Sequence, residues 1–314
     1  MAELTIVIPT YRRHEILAET LDALDRQVAD PARFEVTVVD DPAGDDPEWI
    51  AAAIAARKRR FAVRQLHAEV PDNVSAKRNV GWRSATTPLV MFIGDDILAD
   101  PELVAEHLGW HERHPEAEMA MLGHIRWADR LKVTPFMRWL DRGIQFDFDR
   151  LDRPEAGWGM FYTSNVSVKR EMLEQVGGFD QDRFPFIYED TDLGWRLYQA
   201  GLRLIHAPSA RAEHLHAPSL EGWEERMAAT AGAERRWVEL HPELEPYFEC
   251  MFRRAAGRPP ARSRPALALA SCVRPEAPLI GSRIWWHVDL HYRQRLGPAF
   301  LSAWDAAEQL SRTP

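Results

Sequence analysis

The first hundred residues alternate between short apolar runs and stretches with helical spacing of apolar residues, and this alternation restricts the fold more than any other feature. Apolar runs at 4–8, 34–39, 61–66 and 89–93 predict strands. The stretches between them predict helices at 16–28, 47–58 and 73–84. Alternating strands and helices with short connections favour a parallel sheet with right-handed crossovers. We therefore predict an α/β protein.

Two adjacent carboxylates, Asp95 and Asp96, follow the fourth apolar run. That run lies between Pro88 and Gly94 and is apolar throughout, as expected for a strand buried on both faces of a sheet. Open α/β sheets bind ligands outside the carboxyl ends of their strands, so the two acids favour a site for a hard cation. The alternative is a turn that leads into a helix start at residues 100–102.

The alternation of predicted strands and helices becomes less regular after residue 100. We expect further strands near 117–127, 162–168 and 202–206, and helices at 169–176, 189–200 and 220–240. Residues 128–159 mix Arg, Asp, Trp and Phe without a clear period, which is typical of functional loops. An Arg- and Pro-rich stretch and an amphipathic tail rich in Trp close the chain.

Composition excludes several classes of protein. The 314 residues, 46% hydrophobic and 28% charged, are typical of a soluble globular protein, and the net charge of -9 argues against a nucleic-acid partner. Two cysteines cannot form a disulfide framework. The chain shows no signal peptide and no apolar stretch of about 20 residues, so we expect a cytoplasmic protein, at most peripheral at the inner face of the membrane.

Seven segments, taken in order, resemble family-2 glycosyltransferases, in particular bacterial rhamnosyltransferase-like members. They are Thr5–Arg13, Val38–Asp41, Ala76–Gly81, Phe92–Ile97, Thr163–Arg170, Gly177–Asp180 and Tyr188–Leu197. The resemblance covers about residues 4–216. It implies a GT-A fold, with a doubly wound, mostly parallel sheet flanked by helices and a sugar nucleotide bound across the carboxyl edge of the sheet.

The resemblance and the patterns together predict a domain organisation. A GT-A domain at 1–218 divides into a nucleotide-binding half at about 1–98 and an acceptor half at about 99–218. A helical extension at 219–252, an Arg/Pro-rich linker at 253–265 and a helical tail at 266–314 follow. We expect the tail to pack on the domain or form a homodimer; contact with anionic lipid through its Arg and Trp residues is the alternative.

The resemblance also assigns residues to the donor. The candidates are Pro9, Thr10, Tyr11, Arg12, Asp40, Lys77, Arg78 and Asp95. Asp40 would accept an imide proton from a uracil-type base, and Arg78, beside Lys77, would bind diphosphate oxygens bidentately. The alternatives are a strand-ending turn at Asp40 and a solvated helix face at Arg78. Asp95 would contact the ribose or the outer shell of a metal.

For a metal, Mn²⁺ or Mg²⁺, the resemblance indicates Asp96, although Gly94 stands where the family usually has the first of three acids. His214 and His216 follow a predicted strand and, two residues apart on an extended segment, point the same way. Imidazole beside carboxylate suits manganese better than magnesium, with diphosphate oxygens completing the shell. The alternative is that both histidines are ordinary polar loop residues.

Glu189 and Asp190 begin a predicted helix, whose dipole keeps carboxylates ionised. By resemblance Asp190 is the catalytic base and Glu189 orients a sugar, whereas Asp192 braces the loop; one acid could be only a helix cap. Trp127 and Trp158 are weak acceptor candidates, since they could stack on sugar rings but are more often core residues.

The predicted function is metal-dependent, inverting transfer of a sugar from a nucleotide-diphosphate sugar, UDP- or dTDP-linked, to a hydroxyl acceptor. The acceptor would be a glycan, a lipid-linked saccharide or a small metabolite, as in polysaccharide biosynthesis. One alternative is a non-catalytic or weakly active sugar-nucleotide-binding protein. Another is a nucleotidyltransferase, which would need a Gly-rich phosphate loop that residues 9–13 lack.

Overall fold

The computed structural model describes residues 2–41, 46–148, 151–260, 263–273, 275, 277–278 and 280–312. Its contacts divide the chain into two compact units. The first comprises Met1–Leu131 and Phe148–His216 and contains the sheet; the second comprises Lys132–Asp147 and Ala217–Pro314 and is helical. The grouping of residues 132–147 with the C-terminal part was not part of the sequence prediction.

Four parallel strands form one half of the sheet, as the apolar runs predicted. They are β1 (Leu4–Pro9), β2 (Phe34–Asp40), β3 (Ala62–His67) and β4 (Leu89–Ile93), in the spatial order β3-β2-β1-β4. Every residue of β1 and β4 is buried, whereas β3 at the edge is partly exposed. Since β1 and β4 are neighbours, the loops after them meet at the same edge of the sheet.

Two of the three helices that follow these strands begin at a side-chain cap, whereas the first has none. The three helices are α1 (His14–Asp25), α2 (Pro47–Ala55) and α3 (Val74–Arg83). Asn73 caps α3 by accepting a hydrogen bond from the backbone N–H of Ala76 at 2.8 Å. An added Cβ at Gly81 would lie 2.3 Å from Cγ1 of Val7, so glycine is what lets α3 approach β1 this closely.

The rest of the sheet contains both parallel and antiparallel pairs of strands. Its strands are β5 (Ile97–Ala99), β6 (Met119–Trp127), β7 (Glu155–Ala156), β8 (Asn165–Lys169) and β9 (Arg203–His214). The helices between these strands are α4 (Leu103–Arg113), α6 (Arg170–Val176) and α7 (Glu189–Gln199). Strand β8 runs antiparallel to β4 and β6, β9 runs parallel to β6, and β5 and β7 pair antiparallel with β9. This arrangement is an α/β fold of GT-A type, which confirms the predicted fold class.

Strand β9 continues eight residues beyond the predicted end at His206. The reason is a shift in its pairing with β6, where Gly123 pairs with Ala207 but His124 pairs with Arg211. The extra residues of the bulge accommodate Pro208, which would interrupt a regular ladder. The extension carries β9 to the edge where β4 ends.

The second unit consists of five helices within the described residues. They are α5 (Pro135–Leu140), α8 (Leu220–Leu240), α9 (Tyr247–Ala256), α10 (Ser263–Ala270) and α11 (Gly281–Arg312). Glu234 of α8 is fully buried and accepts hydrogen bonds from the backbone N–H groups of Phe248 and Glu249, at 2.7 and 2.9 Å, in the first turn of α9. No helix that the structure describes is long and apolar enough to cross a membrane.

The stretch predicted as an Arg/Pro-rich linker, 253–265, overlaps the end of α9 and the start of α10. Residues 261–262 of that stretch lie outside the described residues. Within the predicted tail, Phe300 of α11 packs against Phe252 of α9, with ring centroids 5.2 Å apart. The tail therefore contributes to the core of its own unit.

Candidate active site

Asp95 and Asp96 lie directly beyond β4, at the carboxyl edge of the sheet, and only 6% and 7% of their surfaces are exposed. The hydroxyl of Thr10, in the loop after β1, donates to Oδ2 of Asp95 at 2.8 Å. Thr20 in α1 donates to the backbone oxygen of Asp95 at 2.6 Å. These bonds hold the acidic loop against α1 and the loop after β1.

Gly94 is explained by the position of the neighbouring acid. A Cβ added at residue 94 would lie 2.8 Å from Oδ1 of Asp96, closer than real Cβ contacts allow. Glycine therefore leaves room for the Asp96 carboxylate, at the position where the family pattern usually has an acid.

Arg13 contacts both acids, a role that the sequence analysis did not assign to it. Its Nη1 lies 2.6 Å from Oδ2 of Asp96 and 3.4 Å from Oδ1 of Asp95. The predicted neighbour Arg12 has a φ of +54° and places its guanidinium carbon 4.9 Å from the centroid of the Tyr11 ring. The signal that could have indicated Arg13 is the adjacency of β1 and β4, which brings the loop after each strand to the same place.

His214 joins Asp96 through strand pairing. It is the last residue of β9 and pairs with Ile97 of β5, while the N–H of Leu215 donates to the backbone oxygen of Asp96 at 2.8 Å. Nε2 of His214 consequently lies 3.4 Å from Oδ2 of Asp96. His216 is exposed, with its ring centroid 6.1 Å from that of His214. The structure thus brings His214 to the acid and leaves His216 further out.

The two acids differ in their pKa values. Burial, followed by the charge of Asp96, raises the pKa of Asp95 to about 6. For Asp96, burial is outweighed by the hydrogen bond and charge of His214 and by the charge of Arg13, and the pKa falls to about 2. Asp96 is therefore the more firmly ionised of the pair at neutral pH.

The donor set at this position fits a divalent cation only in part. One carboxylate and one imidazole within 3.4 Å suit manganese. Among the described residues, no group of three or more His, Cys, Asp or Glu side chains is arranged to hold a metal ion. Asp96 and His214 therefore fit a cation that takes its remaining ligands from water or from diphosphate oxygens.

A second cluster joins Arg78 of α3 to the acids at the start of α7. Nη1 of Arg78 lies 2.9 Å from Oε1 of Glu189 and 3.4 Å from Oδ1 of Asp190. Nε of Arg78 is buried and has no hydrogen-bond partner among the described residues, which is unusual for a buried N–H group. The structure thus brings the predicted diphosphate residue together with both predicted catalytic acids.

Thr163 positions the carboxylate of Asp190. Its backbone N–H donates to Oδ2 at 3.0 Å, and its hydroxyl lies 3.0 and 2.9 Å from Oδ1 and Oδ2. Burial raises the pKa of Asp190 to about 6, with Arg78 and Thr163 opposing the rise and Glu189 adding to it. A carboxylate with this pKa is ionised at neutral pH and is a stronger base than an ordinary aspartate. Asp192 instead pairs with Arg196, within the same helix, at 2.5 Å.

The chain is strained just before these acids. Ile187 and Tyr188 have φ values of 65° and 71°, a conformation that a β-branched residue rarely adopts. The segment is held from α3, because the backbone N–H of Val74 donates to the oxygen of Pro185 at 3.0 Å and the hydroxyl of Ser75 donates to the oxygen of Phe184 at 2.5 Å. Such strain concentrates at functional sites. With no glycine to mark it, the sequence carries no signal for this bend.

A cavity of about 440 Å³ lies between the two clusters. The predicted donor residues that line it are Pro9, Thr10, Tyr11, Lys77, Arg78 and Asp95, and Arg13 and Phe186 also line it. Lys77 is buried, 3.8 Å from Oδ2 of Asp41 and 4.9 Å from the centroid of the Tyr11 ring. A cavity of this size, with cations on its walls, suits a phosphate-bearing small molecule.

Asp40 does not belong to the described lining of this cavity. It is fully buried, and its two carboxylate oxygens contact Nε2 of Gln65 and Nδ1 of His67 on the neighbouring strand β3. The pairing of Asp40 with His67 explains the contact. The structure therefore places the Asp40 carboxylate in a contact between strands, and its role in base binding stays a prediction.

The two candidate acceptor tryptophans are packed against other rings. Trp127 is 8% exposed and stacks on His214, with ring centroids 5.3 Å apart. Trp158 meets Trp195 edge to face at 5.0 Å. Trp127 is thus placed to orient the imidazole of His214, and its burial leaves little of the ring for a sugar.

The sequence of this chain is similar to those of known glycosyltransferases. The chain is 29% identical over 273 residues to validoxylamine A glucosyltransferase of Streptomyces hygroscopicus subsp. limoneus, an alignment that covers 77% of this chain and 58% of the relative. It spans about three fifths of the length of the first curated relatives that it matches.

Two solved structures share the fold. The mannosyltransferase PcManGT of Pyrobaculum calidifontis, in complex with GDP-Man and Mn²⁺, superposes with a TM-score of 0.64 at 18% identity, covering 99% of this chain and 88% of that one. S. aureus TarS 1-349 in complex with UDP gives 0.52 at 16% identity, covering 98% and 92%. The family profile for glycosyl transferase family 2 matches residues 5–177, more than half of the sequence. The chain belongs to glycosyl transferase family 2.

Proposed function

We propose that this protein transfers a sugar from a nucleotide-diphosphate sugar to a hydroxyl acceptor, with inversion at the anomeric carbon. The observation that carries the proposal is the cluster of Arg78, Glu189 and Asp190, whose Arg78 lines a cavity together with residues of the loops after β1 and β4. A phosphate-binding cation and a base of raised pKa are the two groups that such a transfer needs from the protein.

On the donor side, Arg78 and Lys77 bind the diphosphate. The buried Nε of Arg78 supports this role, because a diphosphate oxygen would satisfy it and bring a charge-assisted hydrogen bond. Pro9, Thr10 and Tyr11 line the part of the cavity that would receive the nucleoside. Asp95, which accepts a hydrogen bond from Thr10, and Arg12 complete the residues proposed to bind the sugar nucleotide. Recognition of the base by Asp40 stays a prediction.

On the acceptor side, Asp190 takes the proton of the attacking hydroxyl as the new bond to the anomeric carbon forms and the bond to the diphosphate oxygen breaks. Thr163 orients the carboxylate, and Glu189 is placed beside it to orient a sugar hydroxyl. A divalent cation, Mn²⁺ or Mg²⁺, held by Asp96 and His214 would neutralise charge on the departing diphosphate. His216 is proposed only as an outer ligand.

We propose a UDP- or dTDP-sugar as donor and a glycan, a lipid-linked saccharide or a small metabolite as acceptor. The hexosyltransferase class and the rhamnosyltransferase-like subtype rest on the motif resemblance. Specificity for the acceptor is assigned to residues 125–159, with Trp158 a better candidate for stacking than the buried Trp127. A cytoplasmic location, homodimer formation through the tail and peripheral membrane contact stay predictions.

The experiment combines binding and turnover. Thermal-shift measurements with nucleotide diphosphates, with and without Mn²⁺, identify the donor class, and the matching nucleotide sugar is then used for transfer assays. We expect Asp190→Asn to keep the nucleotide-induced shift and lose about 10²-fold or more in transfer, the usual contribution of general base catalysis. Asp182→Asn, the same change at an exposed position, should keep both.

Near-normal transfer by Asp190→Asn would move the base elsewhere. The rival function, sugar-nucleotide binding without chemistry, is favoured by the absence of a complete metal cage among the described residues. It predicts a thermal shift for the wild type without either sugar transfer or slow donor hydrolysis.

A further inference from the structure

We propose that Arg13 is an internal counter-ion that occupies the Asp95–Asp96 pair in the free protein and is displaced when a divalent cation binds. The displaced guanidinium then binds the diphosphate of the donor. The inference rests on the proposed function, since it concerns the same cavity and the same donor.

The first argument is the cost of the two buried acids. Adjacent carboxylates that are 6% and 7% exposed are strongly unfavourable unless their charges are compensated. Nη1 of Arg13 supplies a compensating charge at 2.6 Å from Asp96 and 3.4 Å from Asp95. His214 at 3.4 Å adds a second contact to Asp96. The free protein is thus stable around the acids without a metal.

The second argument is competition for a single atom. Oδ2 of Asp96 is the oxygen that accepts from Arg13 at 2.6 Å and also the oxygen that faces Nε2 of His214. A divalent cation held by Asp96 and His214 would compete with Arg13 for this oxygen. The two positive charges would repel each other, and the repulsion is stronger in a buried site than in water. Cation binding therefore favours release of Arg13.

The third argument is where the released side chain can go. Arg13 lies at the start of α1, its side chain is 36% exposed, and it lines the same cavity as Lys77 and Arg78. A guanidinium released into this cavity can donate two parallel hydrogen bonds to the oxygens of a bound diphosphate. The diphosphate would bind the displaced Arg13 guanidinium and so stabilise the cation-bound state. The nucleotide diphosphate and the cation should therefore strengthen each other's binding.

The test measures Mn²⁺ binding directly, by the loss of the free-ion electron paramagnetic resonance signal, with and without UDP. In the absence of UDP we expect Arg13→Gln to bind Mn²⁺ about tenfold more tightly than the wild type, because no bound cation has to be displaced. The gain in Mn²⁺ affinity on adding UDP should be smaller in this variant. Arg26→Gln removes the same charge at the exposed far end of α1 and should match the wild type.

Equal or weaker Mn²⁺ binding by Arg13→Gln would overturn the inference. If that variant does not fold, Arg13→Lys keeps the positive charge with a single-point contact, and its Mn²⁺ affinity should exceed that of the wild type; a lower affinity overturns the inference as well. Transfer that persists in EDTA, with no Mn²⁺ bound by either protein, would overturn this inference and leave the transfer reaction standing. Tighter Mn²⁺ binding by Arg13→Gln, together with no sugar transfer by the wild type, would support this inference and refute the proposed transfer reaction.

Discussion

Replacing Thr163 by valine tests whether Asp190 is the catalytic base. The change removes a hydroxyl that lies 3.0 and 2.9 Å from the two carboxylate oxygens, while the backbone N–H still donates at 3.0 Å. Valine has nearly the same shape as threonine, so the site is expected to stay intact. Because the lost hydrogen bond stabilises the ionised carboxylate, the pKa of Asp190 should rise above its value of about 6.

The magnitude follows from that hydrogen bond. A hydrogen bond to a charged group contributes about 1.5 to 3 kcal/mol. We use the lower end of this energy range, because the side chain of Asp190 is 28% exposed and the backbone N–H of Thr163 remains as a donor. One pKa unit corresponds to about 1.4 kcal/mol, so the pKa of Asp190 moves to about 7. The ionised fraction at pH 7 then falls from about 90% to about 50%.

The assay is the pH dependence of kcat/KM for sugar transfer between about pH 5 and 9. Since the base must be ionised, activity is present above the pKa and is lost as the pH falls through it. We expect Thr163→Val to shift this loss upward by about one unit, to halve activity near pH 7 and to recover it near pH 9. Thr163→Ser keeps the hydroxyl and should follow the wild-type profile.

An unshifted profile for Thr163→Val would refute the role of this hydrogen bond. An equal loss at every pH would show that the change disturbs structure rather than the ionisation of Asp190.

Two further substitutions probe the binding of the donor and the packing of the site. Arg78→Lys would remove the bidentate contact proposed for the diphosphate and should lower kcat/KM for the donor about tenfold or more, whereas Arg83→Lys at the exposed end of α3 should not. Gly194→Ala puts a Cβ 2.4 Å from the backbone oxygen of Trp158 and should lower the free energy of unfolding by about 1 to 3 kcal/mol. Gly232→Ala, in an open stretch of α8, should raise it by up to about 1 kcal/mol; both are measured by denaturant unfolding.

Strands β1 and β4 of the first half of the fold could be predicted because they are buried on both faces. Strands β1 and β4 are continuous apolar runs, and such runs are recognisable without knowledge of their neighbours. The length of β9 could not be predicted, because Pro208 is tolerated only through a bulge against β6. The grouping of residues 132–147 with the C-terminal helices also depends on contacts between distant parts of the chain.

In the candidate site, the structure brings together some of the residues that the sequence motifs indicated. The meeting of Arg78 with Glu189 and Asp190 agrees with the roles assigned to them, although the sequence contains no sign of the ion pair itself. The contact of Arg13 with the acids was not predicted, because which of two adjacent arginines reaches them depends on the backbone turn at Arg12. The contacts of Asp40 with β3 could not be predicted for a related reason, since they depend on the register of the strands.

The short strand β5 has a consequence for protein engineering. Its pairing with the end of β9, and the bond from Leu215 to Asp96, tie two chain positions more than a hundred residues apart through main-chain atoms alone. Side chains do not carry this link, so it persists whatever segment connects the two strands. Residues 128–159, to which we assign acceptor specificity, could therefore be exchanged with those of another family member to change the acceptor, while Asp96 and His214 keep their separation.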